Sequence, residues 1–308
     1  MSVARNDFIS RIRTLKKSIT QTDATQTKAP TEQEHNEIAR MLRNGLAVVG
    51  FASLEDFIKS RCAEVLDEIG QANLPFSNLP LKLQSWTTYE AIKAINYQLG
   101  LRDALDKATY AQSHAEKIAS TTNAPYSLTP LAFGFGQANL NDELIKKILK
   151  VFNIENPWAQ IDQISSSLGL TASPLMQSFK NGMARRHKAA HVASEDTPQN
   201  DIDQFVTEAI AVAIGFDFLI SKALKMLKNH DSSFLDGSCK ISFADVDYRF
   251  IKFLDNKWKE YKLNSSHAYR VSEDLDNLIL DAKSRCMTQS QYFVLYDNVG
   301  LIKDWDCF

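Results

Sequence analysis

The residues best suited to chemistry stand in one short segment, Met183-Ala-Arg-Arg-His-Lys-Ala-Ala-His191. An imidazole near its ordinary pKa accepts or delivers a proton at neutral pH, and a guanidinium stays charged and forks two hydrogen bonds onto a phosphate. Arg186 and His191 therefore suit phosphodiester cleavage, in an Arg-x-x-x-x-His spacing that on its own arises by chance in many proteins. The surroundings add weight. From Ser173 to Val192 there is no acidic residue, while Lys180, Arg185, Arg186 and Lys188 are joined by His187 and His191, which makes this the most basic helix expected in the chain.

Five residues on an ideal helix turn through about 500°, which leaves Arg186 and His191 about 140° apart. One copy points both at one atom only where the helix ends or distorts; two copies facing one cleft have no such restriction. The segment Ser194-Glu-Asp-Thr-Pro198 places a helix end just after His191. Other readings of these residues stay open. Arg185, Arg186 and Lys188 also suit a solvated face near a helix C-terminus, where cations complement the dipole. His191 also suits a satisfied core position beside Met183, Ala190 and Val192. His187 and His191, four apart, suit a metal pair, but spacing marks no third ligand, so no metal or other cofactor is expected.

The elements that position this segment are mostly helical. Phe8, Ile12, Leu15 and Ile19 mark a short first helix before a polar linker at 21–28. Thr31 with Glu34 reads as a capping box for a long helix whose apolar positions Ile38, Leu42, Leu46, Val49, Leu54, Phe57, Ile58, Val65 and Ile69 keep helical spacing. Thr87 with Glu90 reads as a second box, for a helix reaching about 120, and 121–140 as a loop rich in Pro and Gly. Helices are expected at about 141–152 and 156–168. Ser173-Pro174 and Thr197-Pro198 are start signals for two more, running to about 193 and 229. Beyond 233 the period changes: a hairpin at 248–253 and 258–263, a helix capped by Ser272, and strands at 291–296 and 301–305. The expected organisation is an N-terminal helix and linker (1–30), a helical domain (31–235) and a small α+β domain (236–308), the last a docking or sensing module.

Composition narrows the partners. With 35 Lys plus Arg against 37 Asp plus Glu, the chain carries a formal charge of −2, so a polyanion site must be a local basic patch. No apolar run approaches the ~20 residues of a membrane span and no secretory signal is read at the N-terminus, so a cytoplasmic protein is expected. Cys62, Cys239, Cys286 and Cys307 form no C-x-x-C pair, which suits reduced thiols and excludes a zinc ribbon. Glu55, after an apolar run, reads by default as an exposed or helix-pairing residue. Trp86, Trp158, Trp258 and Trp305 read as core or interface residues.

The chain resembles the HEPN superfamily, the higher eukaryotes and prokaryotes nucleotide-binding helical domains, whose ribonuclease members carry Arg, four to six residues, then His. The form Arg186-His187-Lys-Ala-Ala-His191 looks most like the RiboL-PSP branch. Upstream, Leu46-Ala-Val-Val-Gly-Phe-Ala-Ser-Leu-Glu55-Asp-Phe-Ile58 is similar to the family's first core helix, and the likeness covers about 31–229. It departs at His187, where many members have Asn. The resemblance implies a HEPN-like bundle of long helices; with the small α+β domain read from the change of period, which lies outside the likeness, the expected fold is mainly α. The resemblance also implies metal-independent RNA cleavage at a homodimer interface: His191 as acid or base at the ribose 2′-hydroxyl, Arg186 stabilising charge on the phosphorane, products ending in 2′,3′-cyclic phosphate. Glu55, Arg185 and His187 are the supporting candidates, and Lys180, Arg185 and Lys188 the phosphate-binding ones. A role as a toxin or antiviral-defence effector, with an antitoxin or sensor partner, comes with the resemblance. The alternative is a non-catalytic module that uses the same helix to hold RNA, a nucleotide or a protein.

Overall fold

The computed structural model describes residues 2–170 and 174–308. In chain order its helices are α1 (Val3–Thr20), α2 (Gln33–Gly70), α3 (Leu81–Ser85), α4 (Ala91–Gly100), α5 (Ala104–Ser120), α6 (Asp142–Val151), α7 (Pro157–Leu168), α8 (Leu175–His191), α9 (Gln199–Lys228), α10 (Ser232–Leu235) and α11 (Leu275–Gln289). The strands are β1 (Tyr248–Leu254), β2 (Lys257–Lys262), β3 (Arg270–Ser272), β4 (Tyr292–Tyr296) and β5 (Ile302–Asp306). The protein is mainly α with a small C-terminal sheet, as expected. No helix among the described residues is long and apolar enough to cross a membrane.

Contacts gather the chain into two compact units: Met1–Phe57 with Ile161–Gly215 and Val246–Phe308, and Ile58–Gln160 with Phe216–Asp245. In the first, the apolar stripe of α1 is buried, and Phe8 packs 5.0 Å from Phe57 and 6.3 Å from Trp305. Arg5 is buried with it and pairs with Asp306 at 2.6 Å, so the first helix is fastened to the last strand. The sheet order is β3-β2-β1-β4-β5, with β1 and β4 parallel and the other neighbours antiparallel. A parallel pair needs a crossover, and α11 supplies it. Its Leu278, Ala282 and Cys286 cover one sheet face against Ile251, Phe293 and Leu295. Asp255 and Asn256 both have positive φ, the left-handed pair that a two-residue hairpin requires.

In the second unit, Arg61 is buried and donates to Asp217 at 2.6 Å and to Ser221 at 2.8 Å. The 121–140 segment is a loop, as expected, but an ordered one that buries Tyr126, Leu131 and Phe133. A Cβ on Gly70 would lie 2.2 Å from the Tyr126 carbonyl oxygen, so only glycine lets this loop cross the end of α2.

Three local expectations change. Thr87 does not open a helix: the helical run starts at Leu81 after Pro80, and the Thr87 hydroxyl donates back to the Leu83 carbonyl at 2.8 Å, as in a helix interior. The cap of α11 is Asp274, which accepts from the Asn277 amide at 3.0 Å, and not Ser272. On α2, Ile38, Leu42 and Val49 share helical spacing with the core positions yet are exposed, together with Met41. The Ser173 start signal lies outside the described residues.

Candidate active site

The basic helix α8 is seated by one narrow face. Leu175, Ser178, Phe179 and Gly182, at spacings of three, one and three, are its buried positions. Phe179 lies 5.2 Å from Phe51 of α2, which lies 6.1 Å from Phe205 of α9. A Cβ on Gly182 would stand 3.0 Å from the Phe205 ring, so the missing side chain sets how closely α8 approaches. The buried Ser178 hydroxyl donates to Glu208 at 2.8 Å, and Gln204 holds the same carboxylate oxygen at 2.8 Å.

Past Gly182 the helix turns its cations outward. Arg185 is committed: its Nε and a terminal nitrogen both lie 3.1 Å from Asp201, in the first turn of α9. Arg186 is half-buried, and its Nε is buried with no hydrogen-bond partner among the described residues. His187, Lys188 and His191 are exposed, and the two imidazoles pack with ring centroids 4.7 Å apart. Exposure of His191 overturns the core-histidine reading. Among the described residues no cluster of three His, Cys, Asp or Glu side chains could hold a metal. Lys180 is half-buried and engaged in a contact. Glu55 is 7% exposed and also engaged, which corrects its reading as a surface residue.

The helix is unbroken from Arg186 to His191 and stops immediately behind it. Val192 is extended, and its amide closes the last turn on the Lys188 carbonyl at 2.8 Å. No distortion brings Arg186 and His191 onto one atom within one chain; the local pairing is His191 with His187.

Two neighbours on α2 that the motif did not indicate hold the chain after this helix. Asn44 donates to the Glu195 carbonyl at 2.7 Å and accepts from the Thr197 amide at 3.1 Å and hydroxyl at 2.9 Å. Arg43, 3% exposed, donates to the carbonyls of Thr197 at 3.0 Å and Thr25 at 2.7 Å and pairs with Asp196. A signal for Arg43 existed. It stands four residues from Ala39 and from Ala47, both buried, so an arginine interrupts a core stripe where a buried partner must be supplied. The end of the motif helix is thus a fixed point on the long α2.

At the C-terminal end of α8, whose dipole by itself disfavours an anion, the exposed Lys188, His187 and His191 and the half-buried Arg186 are the groups able to donate to a phosphate. The chain belongs to the RiboL-PSP-HEPN family, whose model matches residues 6–222. The match begins within α1, well before the start near 31 expected from the motifs, and ends before the sheet. Membership points to ribonuclease-type or RNA-related function. No curated protein and no solved structure matches the chain.

Proposed function

We propose that this protein is a metal-independent endoribonuclease acting in a toxin or antiviral-defence role, with Arg186 and His191 as its reacting pair. The observation that carries the reading is the Arg186 guanidinium: its Nε is buried without a partner among the described residues, five positions before the exposed His191 on the same basic helix. When the half-buried Arg186 side chain swings outward, a phosphate supplies the acceptor that the protein withholds. His191 takes the proton of the ribose 2′-hydroxyl, the oxygen attacks phosphorus, and Arg186 stabilises the charge gathering on the phosphorane. The 5′-oxygen leaves and takes up a proton, and the product ends in 2′,3′-cyclic phosphate. Lys188, exposed beside the pair, attracts the backbone; Arg185, held by Asp201, contributes mainly to the position of α8.

Because α8 stays regular through His191, the cleft is completed by a second copy. Supporting this, Ile38, Met41, Leu42 and Val49 of α2 are 49%, 72%, 42% and 61% exposed and fall within about a 100° arc of one helix face. Such a stripe, with steps of three, one and seven residues along one face, is what a pairing helix buries.

The test incubates wild type and His191→Ala with total RNA and tRNA in EDTA and maps product ends. Wild-type cleavage that survives chelation and leaves cyclic phosphate, absent from the variant, is the expected result. Equal background in both proteins would favour the non-catalytic binding module, and dependence on added metal would revive the His187 and His191 metal reading. A Met41→Asp, Val49→Asp variant is expected to be monomeric by light scattering and inactive; full activity as a monomer would remove the dimer from the account.

A further inference from the structure

The C-terminal sheet has two unlike faces. One is closed by α11. On the other, α1 reaches β5 through Phe8 and Trp305, and the end of α7 reaches β1 and β4, where Tyr248 donates to Ser167 and Tyr296 to the Leu168 carbonyl, each at 2.8 Å. The corner built from β1 and β2 is left open. There Phe250 and Tyr261, partners across the hairpin, stack with rings 5.3 Å apart and 14° from parallel, both half-buried. Further along the same face, Leu254 at the hairpin end and Val271 opposite Lys259 are 45% and 48% exposed.

The same corner is basic. Lys252 and Lys259 are directly opposed on it, an arrangement that like charges disfavour unless an anion is near. Lys259 is neutralised by Asp255 at 2.5 Å, whereas the Lys252 ammonium makes no ion pair among the described residues and rests 4.2 Å from the Tyr296 ring centroid and 5.0 Å from that of Phe250. On this face Lys252, Lys257 and Lys259 stand together; Lys257 pairs with Glu273 at 3.4 Å and Lys259 with Asp255, which leaves Lys252 as the uncompensated charge of the corner. An open pair of parallel rings beside an uncompensated ammonium matches a base and its phosphate: every base has a π-face, so stacking tolerates sequence, and the lysines follow the backbone.

We propose that this open corner, centred on Phe250, Tyr261 and Lys252, is a stacking platform for single-stranded RNA. One base lies on the exposed ring of the Phe250 and Tyr261 stack, and Lys252 holds an adjacent phosphate. The choice of RNA rests on the ribonuclease reading; the platform itself rests on the rings and the charge. It gives the module beyond the family's match a task, that of retaining unpaired substrate.

The experiment uses full-length His191→Ala protein and a fluorescein-labelled 12-nucleotide oligouridine carrying 5-iodouridine, read by anisotropy and by photo-crosslinking with peptide mapping. Crosslinks on Phe250 or Tyr261 are expected. Tyr261→Leu is expected to weaken binding at least about fivefold, and Lys252→Gln to lower its salt dependence. Because Tyr261 is half-buried, melting of each variant is checked, and the crosslink map of the protein without those changes stands independently of folding. Crosslinks confined to 185–191 with unaltered affinity in both variants would overturn the platform, as would full competition by polyphosphate of equal length, which would indicate charge alone. Sheet crosslinks without any wild-type cleavage would leave the platform standing and remove the nuclease; cleavage with no sheet crosslinks would do the reverse.

Discussion

Arg249 and Arg186 are the same side chain in opposite situations. Arg249 is fully buried in the sheet module, and each guanidinium nitrogen has a partner: Gln291 at 2.6 Å, Glu260 at 3.0 Å and Gln289 at 2.7 Å. Its guanidinium also lies 4.7 Å from the Tyr269 ring. Arg61 and Arg43 follow the same rule with carboxylates, a hydroxyl and carbonyls. A cation removed from water is tolerated only when its donors are matched, so saturation identifies an arginine that serves the fold. Arg186 breaks the rule at one buried nitrogen. A buried donor left unmade costs about 1–3 kcal/mol, a cost that an arriving phosphate oxygen removes. The two regions teach that in this chain a structural arginine is recognised by what it already holds, and that Arg186, the arginine of the proposed function, differs in what it lacks.

The comparison can be broken at either end. The largest stability effect is expected from Arg249→Ala, which leaves Glu260 buried with Arg285 alone. A loss of about 3 kcal/mol in urea unfolding is expected, with RNA cleavage per folded molecule unchanged. A stable Arg249→Ala protein would show that saturation is no marker of structural duty. A smaller effect is expected from Asp201→Asn, which releases Arg185 from a pair in which the carboxylate is 42% exposed. Solvent screening limits that pair to under about 1 kcal/mol. Cleavage is expected to fall only as far as α8 loosens, read as a change in KM or kcat too small to rival that of Arg186. A collapse of activity would make Arg185, rather than Arg186, the cation that matters.

Much of the fold was legible in the sequence because long helices repeat their signals. The α2, α8 and α9 spans follow from apolar spacing and from Pro near the start, and the sheet from the change to alternation near Tyr248. What spacing cannot tell is which apolar face is covered. Ile38, Leu42 and Val49 have the period of core residues and lie on the outside, since period reports only that a face exists. The three-residue β3 carried no signal, being held by pairing with β2 from Arg270 to Ser272. In the site, Arg186 and His191 were legible through residue type, and the helix end through Thr197-Pro198. The support of Arg43 and Asn44 to the chain after α8 was not, because the bonds to Thr197 and Glu195 span more than 150 positions in sequence and depend on how α2 is placed. Arg185 and Arg186 are adjacent, identical in type and opposite in fate; only the position of Asp201 separates them.

The central claim is that Arg186 is kept for phosphate and does nothing for the fold. Arg186→Ala, compared with wild type by thermal melting and by single-turnover cleavage of the tRNA pool in EDTA, tests it most directly. Stability is expected to hold or to rise by up to about 1–3 kcal/mol, because the truncation removes a buried donor that has no partner among the described residues, while cleavage falls by about 10²-fold or more. A variant that melts markedly earlier but cleaves at the wild-type rate per folded molecule would contradict the account.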